Sequence, residues 1–426
     1  MKNIRIACAA DLHLGRRLVR LPEGLENFVH APKDAWKMLV RFVCALENQV
    51  DVLILSGDVF DNEQDLYEAI GVFEEGIHRI LANKIPIIAV AGNHDAHVLK
   101  KCHRRVGSPL FYLLGEDEMW ETQILEFHGR KICFIGWSFS KHQCEANPLK
   151  SFKSCEDAFT IGILHCDVSS GKKGFYAPVQ LKYFHSLPVK AWVLGHIHIP
   201  EILVEDPFVF YCGSLQGLDI SERGIRGFRL LEVQSSGEIS HQLVPCASLF
   251  WSSVEMDFSD VDPENFDEAL CAFLRAQLHN IPDVAKVVLC RISFQGKTAF
   301  YSQVRAFAQK IEGCHFTQVG GGGIPCYIEE VSVVCTPDID LEGLCLGRDL
   351  AALIAQLIRS VKQKEEGKEK LLLECFQHLQ GLAEKNGHVE IKADPSLLEL
   401  EFMRIGYEVL DMILMQEEGE YASFES

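Results

Sequence analysis

Acidic, amide and imidazole side chains recur in five short segments of the 426-residue chain. The segments are Asp11-Leu12-His13, Gly57-Asp58-Val59-Phe60-Asp61, Gly92-Asn93-His94-Asp95, Leu164-His165-Cys166 and Gly195-His196-Ile197-His198. Each of them can supply an oxygen or an imidazole nitrogen to a metal ion. Carboxylate and amide oxygens mixed with histidine nitrogens suit Mn, Fe or Zn, whereas an all-oxygen set would suit Mg or Ca. The segments therefore predict a binding site for Mn, Fe or Zn.

Short apolar or β-branched runs precede these segments and predict the strands that position them. The predicted strands cover residues 4–10, 52–55, 87–90, 131–137, 160–164, 191–194, 208–212 and 227–233. Apolar residues at helical spacing predict a helix over about residues 33–48, and the alternation of strands and helices up to about residue 235 indicates a layered α/β architecture. Since loops converge beyond the C-terminal strand ends of such sheets, the five segments are expected to meet there.

Each residue taken alone has an ordinary structural explanation, because single histidines are commonly hydrogen-bonded and Asp-Gly pairs are common in turns. The joint pattern DxH, GDxxD, GNHD, H and GHxH is much more specific. It resembles the calcineurin-like metallophosphoesterase superfamily over residues 4 to about 200. That resemblance implies an α/β fold, a sandwich of two mixed β-sheets flanked by helices, which holds two divalent metal ions. Mn²⁺ is the expected metal, with Fe or Zn as alternatives.

The same resemblance implies a role for each residue of the five segments. Asp58 is expected to bridge the two metal ions. Asp11, His13 and His198 complete one metal site, and Asn93, His165 and His196 complete the other. His94 is expected to face the scissile phosphate as the general acid, with Asp61 orienting its ring. Two cations about 3.5–4 Å apart would clamp the phosphate, lower the pKa of a bridging water and neutralise charge on the leaving oxygen.

Further segments resemble the SbcD and YhaO-type DNA repair exonucleases. They are residues 9–15, 211–217, 227–228 and 231–233, with a less specific likeness to YhaO over residues 291–298. Cys212 departs from this pattern, since these families usually have proline there. The resemblance implies DNA as substrate and a coiled-coil, SMC-type ATPase (SbcC-like or YhaN-like) as partner, docked on the C-terminal helices.

Basic residues cluster on the loops that follow the predicted ligands. They are Arg16, Arg17, Arg20, Lys100, Lys101, Arg104, Arg105, Lys172 and Lys173. Positive charge beside the metals is what a DNA backbone track requires, although solvated surface charge is the alternative explanation for each of them. Phe175 and Tyr176 could stack on an unpaired base or pack in the core.

The superfamily's protein phosphatases carry arginines that grip a terminal phosphate at two positions. This chain has Asn62 and Ala91 there, so a phosphodiester, which carries less charge, is the better expectation for the substrate.

Length and composition predict two or three folded domains. The expected division is a metallophosphoesterase nuclease domain over residues 1–240, a small α+β capping domain over 251–340, and a helical C-terminal region over 341–426. The net charge is −19, and residues 251–426 carry most of it, with 15 Lys and Arg against 30 Asp and Glu. An apolar helical stripe at residues 353, 354, 357, 358 and 361, continuing at 371, 372, 375, 379 and 382, either packs on its own domain or docks the partner.

Sixteen scattered cysteines without a CxxC pair favour reduced thiols in the cytoplasm. No apolar run approaches the length of a membrane span, and we expect no membrane helix and no signal peptide. A homodimer is an open alternative to a monomer.

Together these features predict a two-metal phosphodiesterase acting on DNA, an exonuclease with single-strand endonuclease activity in end processing or repair. Two alternatives stay open. The chain could hydrolyse a small molecule or a cyclic nucleotide, or it could serve mainly as a DNA-end scaffold for the ATPase.

Overall fold

A computed structural model of the chain describes residues 2–19, 21–61, 66–153, 159–168, 174–363, 374, 377 and 395–424. Several predicted positions lie outside the described residues. They are Arg20, Asn62, Lys172, Lys173 and the apolar positions 371, 372, 375, 379 and 382 of the predicted C-terminal stripe.

The strands of the first half of the chain are β1 (Ile4–Ala9), β2 (Val52–Ser56), β3 (Ile87–Val90), β4 (Phe111–Leu113), β5 (Glu121–Phe127), β6 (Arg130–Trp137), β7 (Phe159–His165), β8 (Ala191–Gly195), β9 (Glu201–Val204), β10 (Phe208–Tyr211), β11 (Gly227–Val233) and β12 (Ile239–Pro245). Those that follow are β13 (Leu249–Asp257), β14 (Val287–Gln295), β15 (Lys297–Thr298), β16 (His315–Val319), β17 (Ile324–Val333) and β18 (Thr336–Pro337). The eight predicted strands correspond to β1, β2, β3, β6, β7, β8, β10 and β11, each within one residue at either end.

The helices are α1 (Ala31–Cys44), α2 (Leu66–Ala82), α3 (Ala96–Val106), α4 (Lys182–His185), α5 (Phe266–Gln277), α6 (Tyr301–Ile311), α7 (Leu341–Leu344), α8 (Leu350–Lys362) and α9 (Pro395–Phe424). The helix predicted over residues 33–48 is α1, which ends four residues earlier. A separate 3-10 turn, Leu46–Asn48, follows it.

Two six-stranded mixed sheets form the main body of the fold, as the sequence predicted. The first has the order β12-β11-β1-β2-β3-β4 and the second β5-β6-β7-β8-β10-β9. Strands β1 to β4 run parallel in the first sheet, and β6, β7, β8 and β10 run parallel in the second. Antiparallel strands complete each sheet at its edges. The parallel strands therefore deliver their C-terminal ends to one edge of each sheet.

Both faces of the central strands are buried, which explains their continuous apolar sequences. In β1, Ile4, Ile6 and Cys8 belong to the core shared with residues of the second sheet, such as Phe134 and Ile163. The alternate residues of the same strand, Ala7 and Ala9, face the core that contains the residues of α1 and α2. Alternation along each strand thus builds a sandwich with helices on its outer side.

The chain divides into two compact units. The first comprises Met1–Ser253, Leu278–Cys290 and Thr317–Glu329, and it contains both six-stranded sheets. The second comprises Val254–Gln277, Arg291–Phe316 and Glu330–Ser426. A four-stranded sheet has the order β13-β14-β17-β16, with Gly320–Gly323 as the turn between β16 and β17. The three-part division expected from the sequence stays a prediction.

The second unit has cores of its own. Phe258, Phe266, Phe294 and Phe307 stack together in one of them. In another, α8 and α9 pack through a cluster that includes Ala355, Ile358, Tyr407 and Leu410. The predicted stripe on α8 is only half correct. Ile358 and Val361 are buried, whereas Leu353 and Leu357 are exposed, because Ala351, Ala352 and Ala355 occupy the inward face instead.

Within the described ranges, no helix combines the length and the apolar character that crossing a membrane requires.

Two glycines of α2 give a matched test of how α1 packs on it. A Cβ at Gly76 would lie 2.6 Å from the Trp36 Nε1 atom of α1, whereas a Cβ at Gly71 would meet no atom within 4 Å. We expect Gly76→Ala to destabilise the protein by about 1–3 kcal/mol through overpacking. Gly71→Ala is expected to stabilise it by about 0.5–1 kcal/mol, as in an ordinary helix interior. Denaturant unfolding measures both, and equal effects at the two positions would contradict the packing described.

Candidate metal centre

The five segments meet at the strand ends of the first unit. Asp11 and His13 follow β1, Asp58 follows β2, Asn93 and His94 follow β3, His165 ends β7, and His196 and His198 follow β8. The first two loops run side by side through backbone hydrogen bonds, because the amides of Asp11 and His13 donate to the carbonyls of Gly57 and Asp58, each at 3.1 Å. The parallel pairing of β1 and β2 therefore continues into the site.

Four of the predicted ligands have a backbone conformation that side-chain-bearing residues rarely adopt. Asp11, His13 and Asp58 have φ values of 50°, 45° and 50°, and His196 has a φ of 98°. Such a residue costs about 1–3 kcal/mol, and it persists only where the surroundings fix it. The presence of four such residues at this site indicates that the loop backbones are shaped to place these side chains.

The two buried carboxylates are each held by a backbone amide from another segment. The His196 amide donates to Asp11 Oδ1 at 3.0 Å, and the His94 amide donates to Asp58 Oδ1 at 3.0 Å. Both aspartates are almost fully buried. Each carboxylate is therefore fixed by the loop that follows a different strand.

The predicted ligand atoms form two overlapping groups. Ligand atoms of Asp11, His13 and His198 all lie within 4.8 Å of one another, and so do those of Asp11, Asp58 and His165. The other two predicted ligands adjoin the second group. Asn93 Oδ1 lies 3.1 Å from His165 Nε2, and the His196 and His165 rings are 5.4 Å apart. Asp11, rather than Asp58, belongs to both groups, so the bridging role of Asp58 stays a prediction.

The histidine donors fit a bound cation in their orientation as well as their type. His13 Nδ1 lies 3.0 Å from Asp61 Oδ1, and His198 Nδ1 lies 2.7 Å from Glu222 Oε1. An ionised carboxylate only accepts, so each Nδ1 carries a hydrogen, and the Nε2 atoms of the two rings face each other at 3.0 Å. Two nitrogens at this distance need a proton or a metal cation between them. The residues therefore fit the divalent metal that the sequence predicts.

His165 is oriented by the backbone of the opposite sheet. Its Nδ1 donates to the Ser56 carbonyl at 3.0 Å, which directs Nε2 toward Asp58 Oδ2 at 3.2 Å. The Ser56 hydroxyl, at the end of β2, lies 3.1 Å from the Leu164 carbonyl and 3.0 Å from that of Val193. Ser56 thus joins the two sheets directly beneath the site, a role that its sequence context did not indicate.

His94 differs from the predicted ligands because its side chain is exposed. Its Nδ1 donates to the main-chain carbonyl of Asp61 at 2.9 Å, and nothing among the described residues hydrogen-bonds to its Nε2. The sequence predicts that Asp61 orients this ring, and the contact is made by its main-chain carbonyl and not by its carboxylate. The Asp61 carboxylate instead contacts His13 and, at 3.4 Å, Arg16 Nη1, while the turn after β2 brings its carbonyl under His94.

The motif glycines allow the loops to approach so closely. A Cβ at Gly92 would lie 2.1 Å from Asp58 Oδ1, and a Cβ at Gly195 would lie 2.1 Å from the Ser56 carbonyl oxygen. Gly57 has a φ of 86°, and its Cβ would lie 2.5 Å from His165 Nδ1. Any side chain at these positions would separate the groups that have to converge.

Burial and neighbouring charges act against each other on the pKa values of the site. Burial raises the pKa of Asp11. Burial would also raise the pKa of Asp58, but the favourable interaction with His165 outweighs burial and lowers the pKa of Asp58. Burial would lower the pKa of His165, but Asp58 outweighs it and raises the pKa to about 9. Burial and the neighbouring His165 lower the pKa of His196 to about 3. The imidazoles therefore differ in protonation at neutral pH.

Three further residues of the site were missed from the sequence. Asp95, quoted only as the last residue of its segment, is fully buried and accepts from the amides of Gly92 and Val59 at 2.8 and 2.6 Å. Burial and the nearby Asp58 raise its pKa to about 7. His142 packs edge-on against His94, with ring centroids 5.4 Å apart, and Glu222 accepts from His198. Neither His142 nor Glu222 belongs to a recurring motif, so only the folded chain reveals them.

The predicted DNA-contacting residues are mostly engaged with acidic neighbours. On α3, Lys100 and Arg104 approach Glu116, and Arg105 pairs with Glu74. Arg16 is about half exposed, and Lys101 is exposed on α3. Arg17 also has a partner in the structure. A contact with DNA by the α3 residues would therefore exchange one ion pair for another.

Comparison with known proteins agrees with this geometry. Residues 4–200 match the family described as calcineurin-like phosphoesterase. The chain is similar to the uncharacterized metallophosphoesterase YhaO of Bacillus subtilis, with 28% identity over 59% of this chain and 62% of that protein. It therefore spans about three fifths of that relative's length.

Two further relatives carry nuclease or repair names. The SbcD component of the nuclease SbcCD of Staphylococcus epidermidis is 27% identical over 61% of this chain and 75% of that protein. The DNA double-strand break repair protein Mre11 of Methanopyrus kandleri is 26% identical over 63% of this chain and 61% of that protein.

Metal binding at this centre is expected to release protons. Imidazole binds a metal in its neutral form, whereas His165, with a pKa of about 9, carries a proton at neutral pH. Titration calorimetry with Mn²⁺ near neutral pH, in two buffers of different ionisation enthalpy, should give different observed enthalpies. The apparent affinity should rise as the pH rises toward 9 and then level off. Equal enthalpies in both buffers would show that no proton leaves.

Proposed function

We propose that the chain is a two-metal phosphodiesterase that acts on DNA, an exonuclease with single-strand endonuclease activity in end processing or repair. The observation that carries the proposal is that the site contains two kinds of imidazole, clustered predicted ligands and the exposed ring of His94. The predicted ligands lie in or beside two overlapping groups at the strand ends, while exposed His94 stands near them with its Nε2 unpaired among the described residues. Two-metal hydrolysis of a phosphodiester combines a cation cluster with a proton donor within reach of the leaving oxygen.

We propose Mn²⁺ as the metal, held by the seven predicted ligands Asp11, His13, Asp58, Asn93, His165, His196 and His198. When bound, the ions would activate a water and offset charge on the phosphate. The chain's own contribution is positional. The Asp61 carbonyl anchors His94 Nδ1, so the ring can present Nε2 to the leaving oxygen without losing its orientation.

Two observations favour DNA over a small diester, and Ala91 favours a diester over a terminal phosphate. Relatives that share the domain are named as part of a nuclease and as a double-strand break repair protein. Ala91 stands where a phosphatase arginine would grip a terminal phosphate. Arg16 lies at the metal centre on Asp61, and exposed Lys101 lies on α3, the helix that follows His94.

The decisive variant is His94→Asn. Replacing the proton donor, while all seven predicted metal ligands stay in place, should lower Mn²⁺-dependent release of nucleotides from end-labelled duplex and single-stranded DNA by about 10²–10⁴-fold. Mn²⁺ binding by calorimetry serves as the control, because it should stay close to that of the wild type. Unchanged nucleotide release by the variant would refute the role assigned to His94.

A salt titration separates DNA from the alternative substrates. Binding to DNA should weaken steeply as salt rises, because phosphate contacts release counterions, whereas hydrolysis of a cyclic nucleotide or another small diester should change little. Faster hydrolysis of the small diester by the wild type would favour that alternative. DNA binding without hydrolysis, with metal bound, would favour a DNA-end scaffold.

We also propose an SMC-type coiled-coil ATPase as partner, a cytoplasmic location and residues 251–340 as a capping domain. The partner proposal is supported by an exposed apolar row on α8 and the turn before it. The row consists of Leu346, Leu350, Leu353 and Leu357, spaced three or four residues apart. The cytoplasmic location is supported by the described cysteines, all of which are free thiols. A homodimer stays an open alternative.

The partner proposal can be tested without disturbing the fold. Leu353→Glu combined with Leu357→Glu changes two exposed side chains and should abolish co-purification with the proposed SMC-type ATPase. Leu46→Glu, at an even more exposed leucine in the other unit, is the control and should leave co-purification intact. Undiminished capture by the double variant would rule out this row as the docking site.

A further inference from the structure

Glu222 lies outside the five segments, and only one of its two carboxylate oxygens contacts a predicted metal ligand. It ends the 3-10 turn Ile220–Glu222 in the connection between β10 and β11, and it is buried. Its Oε1 accepts from His198 Nδ1 at 2.7 Å. Its Oε2 accepts from the Ser214 hydroxyl at 2.9 Å and from the Leu218 amide at 3.2 Å. Oε2 thus accepts hydrogen bonds from the loop that carries Glu222, and Oε1 accepts one from a predicted metal ligand.

The loop that carries Glu222 is built against the backbone of His198. The Ser214 amide donates to the His198 carbonyl at 2.8 Å. Gly213, with a φ of 74°, permits this approach, because a Cβ there would lie 2.9 Å from the same carbonyl oxygen. Arg226 Nε donates to the Glu222 carbonyl at 2.9 Å and fixes the far end of the turn. The position of the carboxylate relative to His198 is therefore set by several independent contacts.

We propose that Glu222 is a positioning residue for the metal ion bound by Asp11, His13 and His198. By accepting from Nδ1 it keeps the hydrogen there and leaves the Nε2 lone pair for the cation, and its charge makes the imidazole a stronger ligand. Asp61 holds His13 in the same manner, so both histidines of this group have a carboxylate behind them. His165, in the other group, has the neutral Ser56 carbonyl instead.

This asymmetry predicts a loss confined to one of the two ions. Glu222→Ala removes the acceptor, and Glu222→Gln removes its charge while keeping its size. Loss of such an outer partner typically lowers metal affinity by about 10–100-fold. Calorimetric titration of the full chain with Mn²⁺ should therefore show one weakened equivalent in both variants, with the second within about threefold of the wild type. Mn²⁺ electron paramagnetic resonance gives an independent count of bound ions.

Ser214→Ala is the matched control for a purely structural role. It removes a hydrogen bond to Oε2 of the same carboxylate and leaves the contact between Oε1 and His198 in place. We expect it to lower the melting temperature of the metal-free protein without weakening either metal equivalent. An equal loss of affinity in Ser214→Ala, or two wild-type equivalents in both Glu222 variants, would overturn the inference. Metal-free melting curves ensure that only folded variants are compared.

The inference rests on the metal centre of the proposed function, and the same titration distinguishes the two failures. If the wild-type chain bound no Mn²⁺, the metal centre itself would be wrong. If the wild type bound two equivalents and the Glu222 variants did the same, only the role of Glu222 would fail. Neither outcome depends on DNA or on the rate of hydrolysis.

Discussion

The repulsion between two buried carboxylates is the constraint that shapes the first unit. Oxygens of Asp11 and Asp58 lie within 4.8 Å of each other and of a His165 nitrogen, in an interior that excludes water. Like charges at such a distance are strongly unfavourable at low dielectric unless positive charge or hydrogen-bond donors offset them. Here backbone amides from other segments and the surrounding imidazoles provide that offset, and a divalent cation would complete it.

Holding these groups together requires two sheets, because neither sheet supplies the whole set. The first sheet contributes the segments after β1, β2 and β3, and the second contributes His165 and the segment after β8. Ser56 joins the sheets beneath the site, and Asp95 ties the loop after β3 to the loop after β2. The strained backbone of Asp11, His13, Asp58 and His196 is tolerated because these links leave the loops no relaxed alternative.

Sequence patterns predicted the central strands well because both faces of those strands are buried. Short continuous apolar runs such as those of β2 and β3 are typical of strands buried on both faces. The edge strand β5 was missed because its side chains alternate between exposed and half-buried, and β4 has only three residues. The sequence also predicted that the five segments meet, because each of them lies at the C-terminal end of a predicted strand. The use of the Asp61 carbonyl, rather than its carboxylate, under His94 depends on the path of one turn, which residue types do not encode.

The imidazoles of the site include buried and exposed rings, and the two sets suit different functions. His13 and His165 are buried and have their Nδ1 atoms held, which suits ligands that must not move. His94 and His142 are exposed, yet each has its Nδ1 held by a main-chain carbonyl, from Asp61 and Asn93 respectively. A carbonyl fixes a ring without adding charge. The fold therefore provides charged outer partners for His13 and His198, and neutral ones for His165 and for the exposed His94 and His142.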